Sequence, residues 1–131
     1  MRDTLKTFKV LSDETRLRIL NLVLERECCV CEVMQALEIS QSKASRGLSA
    51  LYDVGFLKLR KDGLWSLYSI DNESMKGYRS QLIETVKEAL KDNKIAESDK
   101  ERLRTAERVG PNCVGKVCAG RLTTKASQSE G

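Results

Sequence analysis

Between Asp53 and Phe56 the apolar residues of this chain change their period, and that change limits the fold more than any other feature. Upstream they recur at helical spacing: Leu5, Phe8 and Leu11 mark a first helix. Leu17, Leu20 and Leu24, joined by Ile19 and Val23, mark a second, with Arg16, Arg18, Asn21 and Glu25 covering its other side. Ser12-Asp13 supplies an N-cap for it. Val33, Met34 and Leu37 define a short third helix that starts at about Cys29 or Cys31, and Ala44, Leu48 and Leu51 define a fourth from Gln41 to Asp53. Glu38-Ile39-Ser40 separates these two, and Ser40 is a good N-cap. Downstream, Phe56-Leu57-Lys58-Leu59-Arg60 alternates apolar and basic residues, Asp62-Gly63 signals a two-residue hairpin turn, and Leu64–Ile70 reads as the returning strand. Two short helices across a brief turn, followed at once by a cationic hairpin, predict a mainly α fold with a small β-hairpin, a winged helix-turn-helix. Asp71-Asn72-Glu73 then opens a further helix, with Met75, Tyr78, Leu82, Val86 and Ala89-Leu90 on one stripe that suits a core or a second copy of itself.

The length of 131 residues accommodates one domain of roughly 100 residues and an appendage. From Lys91 onward the composition turns charged and small. Ser98-x-x-Glu101 can start a brief helix with Leu103, Ala106 and Val109 to bury, and after Gly110-Pro111 the chain is rich in Gly, Ser, Thr and Lys. The expected division is therefore a folded unit over residues 1–92 and a charged, partly disordered tail over residues 93–131 that carries Cys113 and Cys118. No apolar run suits a membrane span and no signal-peptide core follows Met1, so a cytoplasmic protein is expected.

Histidine is absent, which excludes Ser-His-Asp, Cys-His and His-metal chemistry. No cysteine is followed six positions later by arginine, so a phosphate-cradling thiol enzyme is excluded as well, and no enzymatic activity is expected. Five cysteines, an odd number without an export signal, point to metal-binding or reactive thiols rather than a disulfide scaffold.

Charge is unevenly spread. Residues 41–70 carry five positive and two negative side chains, whereas residues 1–40 carry six and seven. A basic segment that coincides with a helix-turn-helix and hairpin is suited to phosphate. Gln41, Ser42, Lys43, Ser45 and Arg46 lie on the open face of the fourth helix, where they can hydrogen-bond base edges in a major groove. Lys58, Arg60 and Lys61 on the hairpin add sequence-independent phosphate contacts. A merely solvated, charged face is the plainer reading of the same residues. Gly47 costs about 1 kcal/mol inside a helix, a cost that close backbone approach would explain.

Leu11-Ser12-Asp13-Glu14-Thr15-Arg16-Leu17-Arg18-Ile19-Leu20, Glu27-Cys28-Cys29-Val30-Cys31-Glu32-Val33, Ser40-Gln41-Ser42-Lys43-Ala44-Ser45-Arg46 with Leu48, and Asp62-Gly63-Leu64-Trp65 to Tyr68 occur in the order found in the ArsR/SmtB metal-responsive repressors. The chain resembles that family over about residues 3–92, and its Cys-Val-Cys box resembles that of the arsenic-responsive branch. The resemblance implies a winged-helix homodimer, joined through the first helix and the Met75–Leu90 helix. It implies a repressor of a near-palindromic double-stranded operator until an inducer binds.

Arsenite and antimonite are thiophilic and form pyramidal three-thiolate complexes, so As(III) or Sb(III) is the expected inducer and no catalytic cofactor is expected. Cys29 and Cys31 carry over from the box as ligands. The branch often has its third cysteine three residues further on, where this chain has Met34, so the third ligand is open between Cys28 and the tail thiols Cys113 and Cys118. On a helix, Cys29 and Cys31 point to nearly opposite sides and Cys28 and Cys31 share a face, so joining Cys29 to Cys31 is expected to deform the start of the third helix. The family's zinc-type site uses Asp and His, and its cadmium and lead branch adds an N-terminal cysteine; this chain has no histidine, and no cysteine in residues 1–27. Two further readings use the same thiols: a redox- or persulfide-sensing repressor of the same fold, and a thiol metal buffer or chaperone.

Overall fold

The computed structural model describes residues 1–75 and 77–108. Its elements in order are α1 (Arg2–Leu11), α2 (Glu14–Glu25), α3 (Val30–Leu37), α4 (Gln41–Asp53), β1 (Leu57–Asp62), β2 (Trp65–Ile70), α5 (Tyr78–Leu90) and α6 (Lys94–Thr105). This is the winged helix-turn-helix that the change of period predicts.

Helix α2 lies at the centre because its apolar residues occupy more than one face: Ile19, Leu20, Leu22 and Val23 are all buried. Asp13 caps it by accepting the Arg16 N–H at 3.0 Å. Arg16 returns the favour to α1, donating from Nε to the Val10 carbonyl at 2.7 Å and from Nη2 to Lys9 at 3.1 Å, so the free carbonyls at the end of that helix are satisfied. The turn between α3 and α4 runs through Glu38, held at φ +58, and Ser40, which accepts the Lys43 N–H at 3.2 Å. Ala44, Leu48 and Leu51 seat α4 on the core. Gly47 belongs to that seating: a Cβ there would lie 2.3 Å from Ile19 Cδ1, so the glycine lets α4 close onto α2.

The strands pair antiparallel with Leu57 opposite Ile70 and Asp62 opposite Trp65. The loop is therefore Gly63-Leu64, with Gly63 at φ +65, one residue later than the expected Asp62-Gly63 turn. Cys28 adds a third rung, its N–H and C=O exchanging hydrogen bonds with Tyr68 at 2.9 and 2.8 Å.

Two expectations are corrected. The helix after the hairpin starts at Tyr78, so Met75 precedes it; Asp71 instead turns the chain by accepting the Ser74 hydroxyl at 2.8 Å. More consequentially, the boundary expected after residue 92 does not hold, because α6 packs on α2 and α3. It starts at an Asn93 N-cap that accepts the Ala96 N–H at 3.0 Å, five residues before the expected Ser98. It buries Ala96 and Leu103, and also Asp99, whose carboxylate is fully enclosed. Arg18 grips Asp99 through Nε and Nη2, both at 2.8 Å, and Arg102 Nη2 reaches the same carboxylate at 2.8 Å. Asn21 donates to the Ala96 carbonyl at 3.3 Å, Arg26 to Leu103 at 2.9 Å and Arg102 to Ala36 at 2.6 Å. The side of α2 that Arg18 and Asn21 cover is thus the seat of α6. Cys113 and Cys118 lie outside the described residues. Among the described residues no helix is long and apolar enough to cross a membrane.

Candidate nucleic-acid interface and thiol site

Burial in α4 follows its apolar stripe, so the opposite side is open. Ser42, Lys43 and Arg46 are exposed and Gln41 and Ser45 half-buried, with no core contact required of any of them. The N-terminal turn of α4 thus presents hydroxyl, amide and cationic groups together. The cations of β1 are also exposed, but they are not equivalent. Arg60 forms a two-pronged pair with Glu27, Nε and Nη2 each 2.8 Å from a carboxylate oxygen. That pairing holds the Glu27 carboxyl below its ordinary range and raises the Arg60 guanidinium. Lys61 Nζ donates to Ser66 Oγ across the hairpin at 2.8 Å.

The cysteines divide in a way that helical spacing does not anticipate. Helix α3 begins at Val30, and Cys29 is its N-cap with extended backbone at φ −97 and ψ 171. The rule for faces of a helix therefore does not apply to Cys28 or Cys29. Cys29 and Cys31 meet in one small buried cluster with Leu67, against which Trp65 packs. Cys28 turns the other way into the main core with Ile19, Leu22 and Tyr68. The expected face shared by Cys28 and Cys31 is absent, and the opposed arrangement expected of Cys29 and Cys31 is not found either. The Cys28 thiol donates to the Arg26 carbonyl at 3.2 Å. Burial, reinforced by the negative charge of Glu32, pushes it up to about 12.

Polar groups that the sequence reading passed over surround the Cys29–Cys31 cluster. Glu32 is buried, with Oε1 accepting the Cys29 N–H at 2.9 Å and Arg108 Nε at 3.2 Å, and Oε2 accepting Arg26 Nη1 at 2.9 Å. Its position three residues after an N-cap was a readable sign, since a carboxylate there reaches back to the cap N–H. Gln35 lies one turn beyond Cys31. Its amide nitrogen is 3.2 Å from Cys31 Sγ and 2.7 Å from the Glu107 carbonyl, while its Oε1 accepts the Glu107 N–H at 3.1 Å. Cys31 Sγ in turn points at the Glu107 carbonyl at 3.6 Å. The chain leaving α6 is thus fastened across the start of α3. Among the described residues, no three Cys, Asp or Glu side chains form a group able to hold a metal ion.

Residues 13–63 match the family described as "Bacterial regulatory protein, arsR family". A "Cadmium resistance transcriptional regulatory protein CadC homolog" of Staphylococcus aureus is 43% identical over 83 residues, 63% of this chain and 65% of that relative. An "Arsenical resistance operon repressor" of Escherichia coli (strain K12) is 46% identical over 67 residues, 50% of this chain and 57% of the relative. The chain therefore spans between 57% and 65% of the length of these two curated relatives. Among solved structures, the homodimeric winged helix-turn-helix DNA-binding domain of Mb0332 from Mycobacterium bovis, described as a possible ArsR-family transcriptional regulator, is similar with a TM-score of 0.58 and 25% identity. That similarity covers 71% of this chain and 82% of the other.

Proposed function

This chain belongs to the arsR family of bacterial regulatory proteins, and we propose that it is a repressor that binds operator DNA as a homodimer until trivalent arsenic or antimony binds its cysteine thiolates. One juxtaposition carries the reading. Cys29 and Cys31 share a buried cluster with Leu67 and Trp65 of the wing, at the first turn of the helix that leads through Glu38-Ile39-Ser40 into α4.

In this reading α4 enters the major groove with Gln41, Ser42, Lys43, Ser45 and Arg46 at base edges. Lys58 and Lys61 meet phosphate directly, and Arg60 does so when it exchanges Glu27 for the DNA backbone. Two protomers read the halves of a near-palindromic site. Helices α1 and α5 supply the dimer contact: Leu5 and Phe8, 53% and 47% exposed, stand one turn apart on α1. Thr7 Oγ1 and the Tyr78 hydroxyl, 3.4 Å apart, link that helix to α5.

The donor set suits a soft, thiophilic inducer. Two thiols converge, an amide faces one of the sulfurs, and histidine is absent from the whole sequence. Relatives respond by name to cadmium as well as to arsenic; the lack of any cysteine in residues 1–27 favours the metalloid. The remaining thiols, Cys28, Cys113 and Cys118, are the sources of a third ligand. Drawing Cys29 and Cys31 onto one centre moves the cap of α3 and, through Leu67 and Trp65, strand β2. One carries α4 and the other the wing, so the spacing of the two DNA-contacting elements changes. A coupling of about 1–3 kcal/mol weakens DNA binding roughly 5- to 150-fold.

Fluorescence anisotropy of a labelled duplex from the region upstream of the coding sequence tests this under reducing conditions. Release by micromolar arsenite, lost in Cys29→Ser and Cys31→Ser and not produced by zinc, is the expected result. DNA binding indifferent to arsenite overturns the inducer, and no binding to any duplex overturns the repressor.

A further inference from the structure

A carboxylate taken out of water is costly unless partners replace the water, so Glu32, 3% exposed beside the thiol cluster, needs a reason. Its partners are all in place. Oε2 accepts Arg26 Nη1 at 2.9 Å, and Oε1 accepts Arg108 Nε at 3.2 Å and the Cys29 N–H at 2.9 Å. Arg26 is itself anchored, donating from Nη1 to the Glu27 carbonyl at 3.1 Å and from Nη2 to the Leu103 carbonyl at 2.9 Å. The carboxylate is therefore fixed from the end of α2 and from the segment after α6. Its remaining bond falls on the backbone of a proposed ligand.

We infer that Glu32 is the positioning residue of the thiol site: by holding the Cys29 N–H it fixes the extended backbone that brings the Cys29 side chain to Cys31. The inference rests on the thiol-site reading above. Cys29 has φ −97 and ψ 171, whereas Cys31 already belongs to α3. Had the helix begun a turn earlier, side chains two residues apart would point to nearly opposite sides. The non-helical cap is thus what lets Cys29 and Cys31 enter one cluster with Leu67. Cysteine secures a cap poorly, because its sulfur is a weak acceptor where serine or aspartate offers oxygen. The return bond from Glu32 to the cap N–H is the strong half of this capping box. A pair of thiols set in advance loses less conformational freedom on chelation than a loose pair, which favours a ligand that needs both sulfurs. Glutamine at this position keeps the acceptor and loses the charge, whereas leucine keeps the buried volume and loses both.

Phenylarsine oxide probes the pair directly. Its oxygen leaves as water with the two thiol protons, two As–S bonds form, and arsenic stays trivalent. It is titrated into reduced full-length protein carrying Cys113→Ser and Cys118→Ser, so that the box supplies every thiol present. Binding is followed by the emission of Trp65, the one tryptophan in the chain, which packs on the Cys29–Cys31 cluster. Adding Glu32→Leu is expected to weaken binding by about 10- to 100-fold. Adding Glu32→Gln is expected to keep it within about threefold, because the acceptor for the Cys29 N–H remains. Both replacements remove the charge paired with Arg26 and Arg108, so a loss confined to leucine separates the cap bond from the ion pairs. A measurement on the protein with Glu32 intact stands even if the leucine variant does not fold: hydrogen exchange at the Cys29 N–H is expected to be slow in the free protein and to stay slow with phenylarsine oxide bound. Unchanged affinity in Glu32→Leu, an equal loss in Glu32→Gln, or fast exchange of that amide in either state overturns the inference. Failure of the protein with Glu32 intact to bind phenylarsine oxide overturns the thiol-site reading instead.

Discussion

Replacing Gly47 by alanine tests how closely the recognition helix is set onto the core. A methyl group at that position would stand 2.3 Å from Ile19 Cδ1 and 3.8 Å from Ile19 Cγ1, against an ordinary contact of 3.4–4 Å. Some atom must therefore move by roughly 1 Å. Ile19 is fully buried among Leu20, Leu48 and Leu51, so its terminal methyl has no solvent to swing into. Forcing an extra methyl into such a site costs about 1–3 kcal/mol. Alanine recovers about 1 kcal/mol of helix propensity, which leaves a net loss of up to about 2 kcal/mol. The decisive step is the double variant with Ile19→Val, which deletes the obstructing atom. Ile19→Val alone costs about 0.5–1.5 kcal/mol. Combined with Gly47→Ala, the new methyl fills the vacated space, and the pair returns to within about 0.5 kcal/mol of wild type. Urea unfolding followed by circular dichroism, at one fixed protein concentration so that dimerisation is held constant, measures the cycle. Single effects that merely add in the double variant would refute close packing as the reason for this glycine.

Further variants examine other joints. Glu27→Gln removes the partner of Arg60 and frees a guanidinium for phosphate, so operator affinity rises and the slope of log K against log salt steepens by about 0.9; an unchanged slope counts against a phosphate role for Arg60. Asp99→Ala leaves Arg18 and Arg102 without their carboxylate, and because both guanidiniums reach solvent the loss is about 2–3 kcal/mol by urea unfolding, accompanied by faster labelling of Cys31 as α6 loosens. Phe8→Glu places a charge in the proposed dimer contact and is expected to yield monomer by sedimentation, with operator affinity lost; a dimer of undiminished stability moves that interface elsewhere.

The legible parts of the fold are those whose signals are local. Asp13 and Ser40 announce their helices because capping is decided within three residues, and the stripes of α2 and α4 follow from one period. Helix α6 was readable only as a fragment because it buries little apolar area. What holds it is Arg18 to Asp99, Asn21 to Ala96 and Arg102 to Ala36, side chains distant in sequence that leave no periodic trace. The cysteine box was readable in composition but not in geometry. Its arrangement depends on whether the helix starts before or after Cys29, and a shift of one or two residues there redirects every thiol. The contact of that box with Leu67 and Trp65 depends on hairpin register, which was likewise placed one residue off at the turn. Gly47 shows the reverse case: its cost in a helix was visible locally, while its cause, Ile19, lies on another helix.

The position of the cluster also makes a quantitative demand on the mechanism. Cys29 and Cys31 touch both α3 and β2, so a ligand there and an operator on α4 and the wing act on the same two elements. If release is equilibrium coupling, it is reciprocal: the factor by which saturating arsenite weakens operator binding equals the factor by which saturating operator weakens arsenite binding. Trp65, the one tryptophan, packs against the thiol cluster, so a titration of arsenite with and without saturating operator, each referenced to its own arsenite-free emission, measures the second edge of the cycle. The two factors are expected to agree within about twofold, somewhere between roughly 5 and 150. Weakened DNA binding with no matching loss of arsenite affinity would mean that DNA is released by an irreversible step, since every closed reversible cycle is reciprocal.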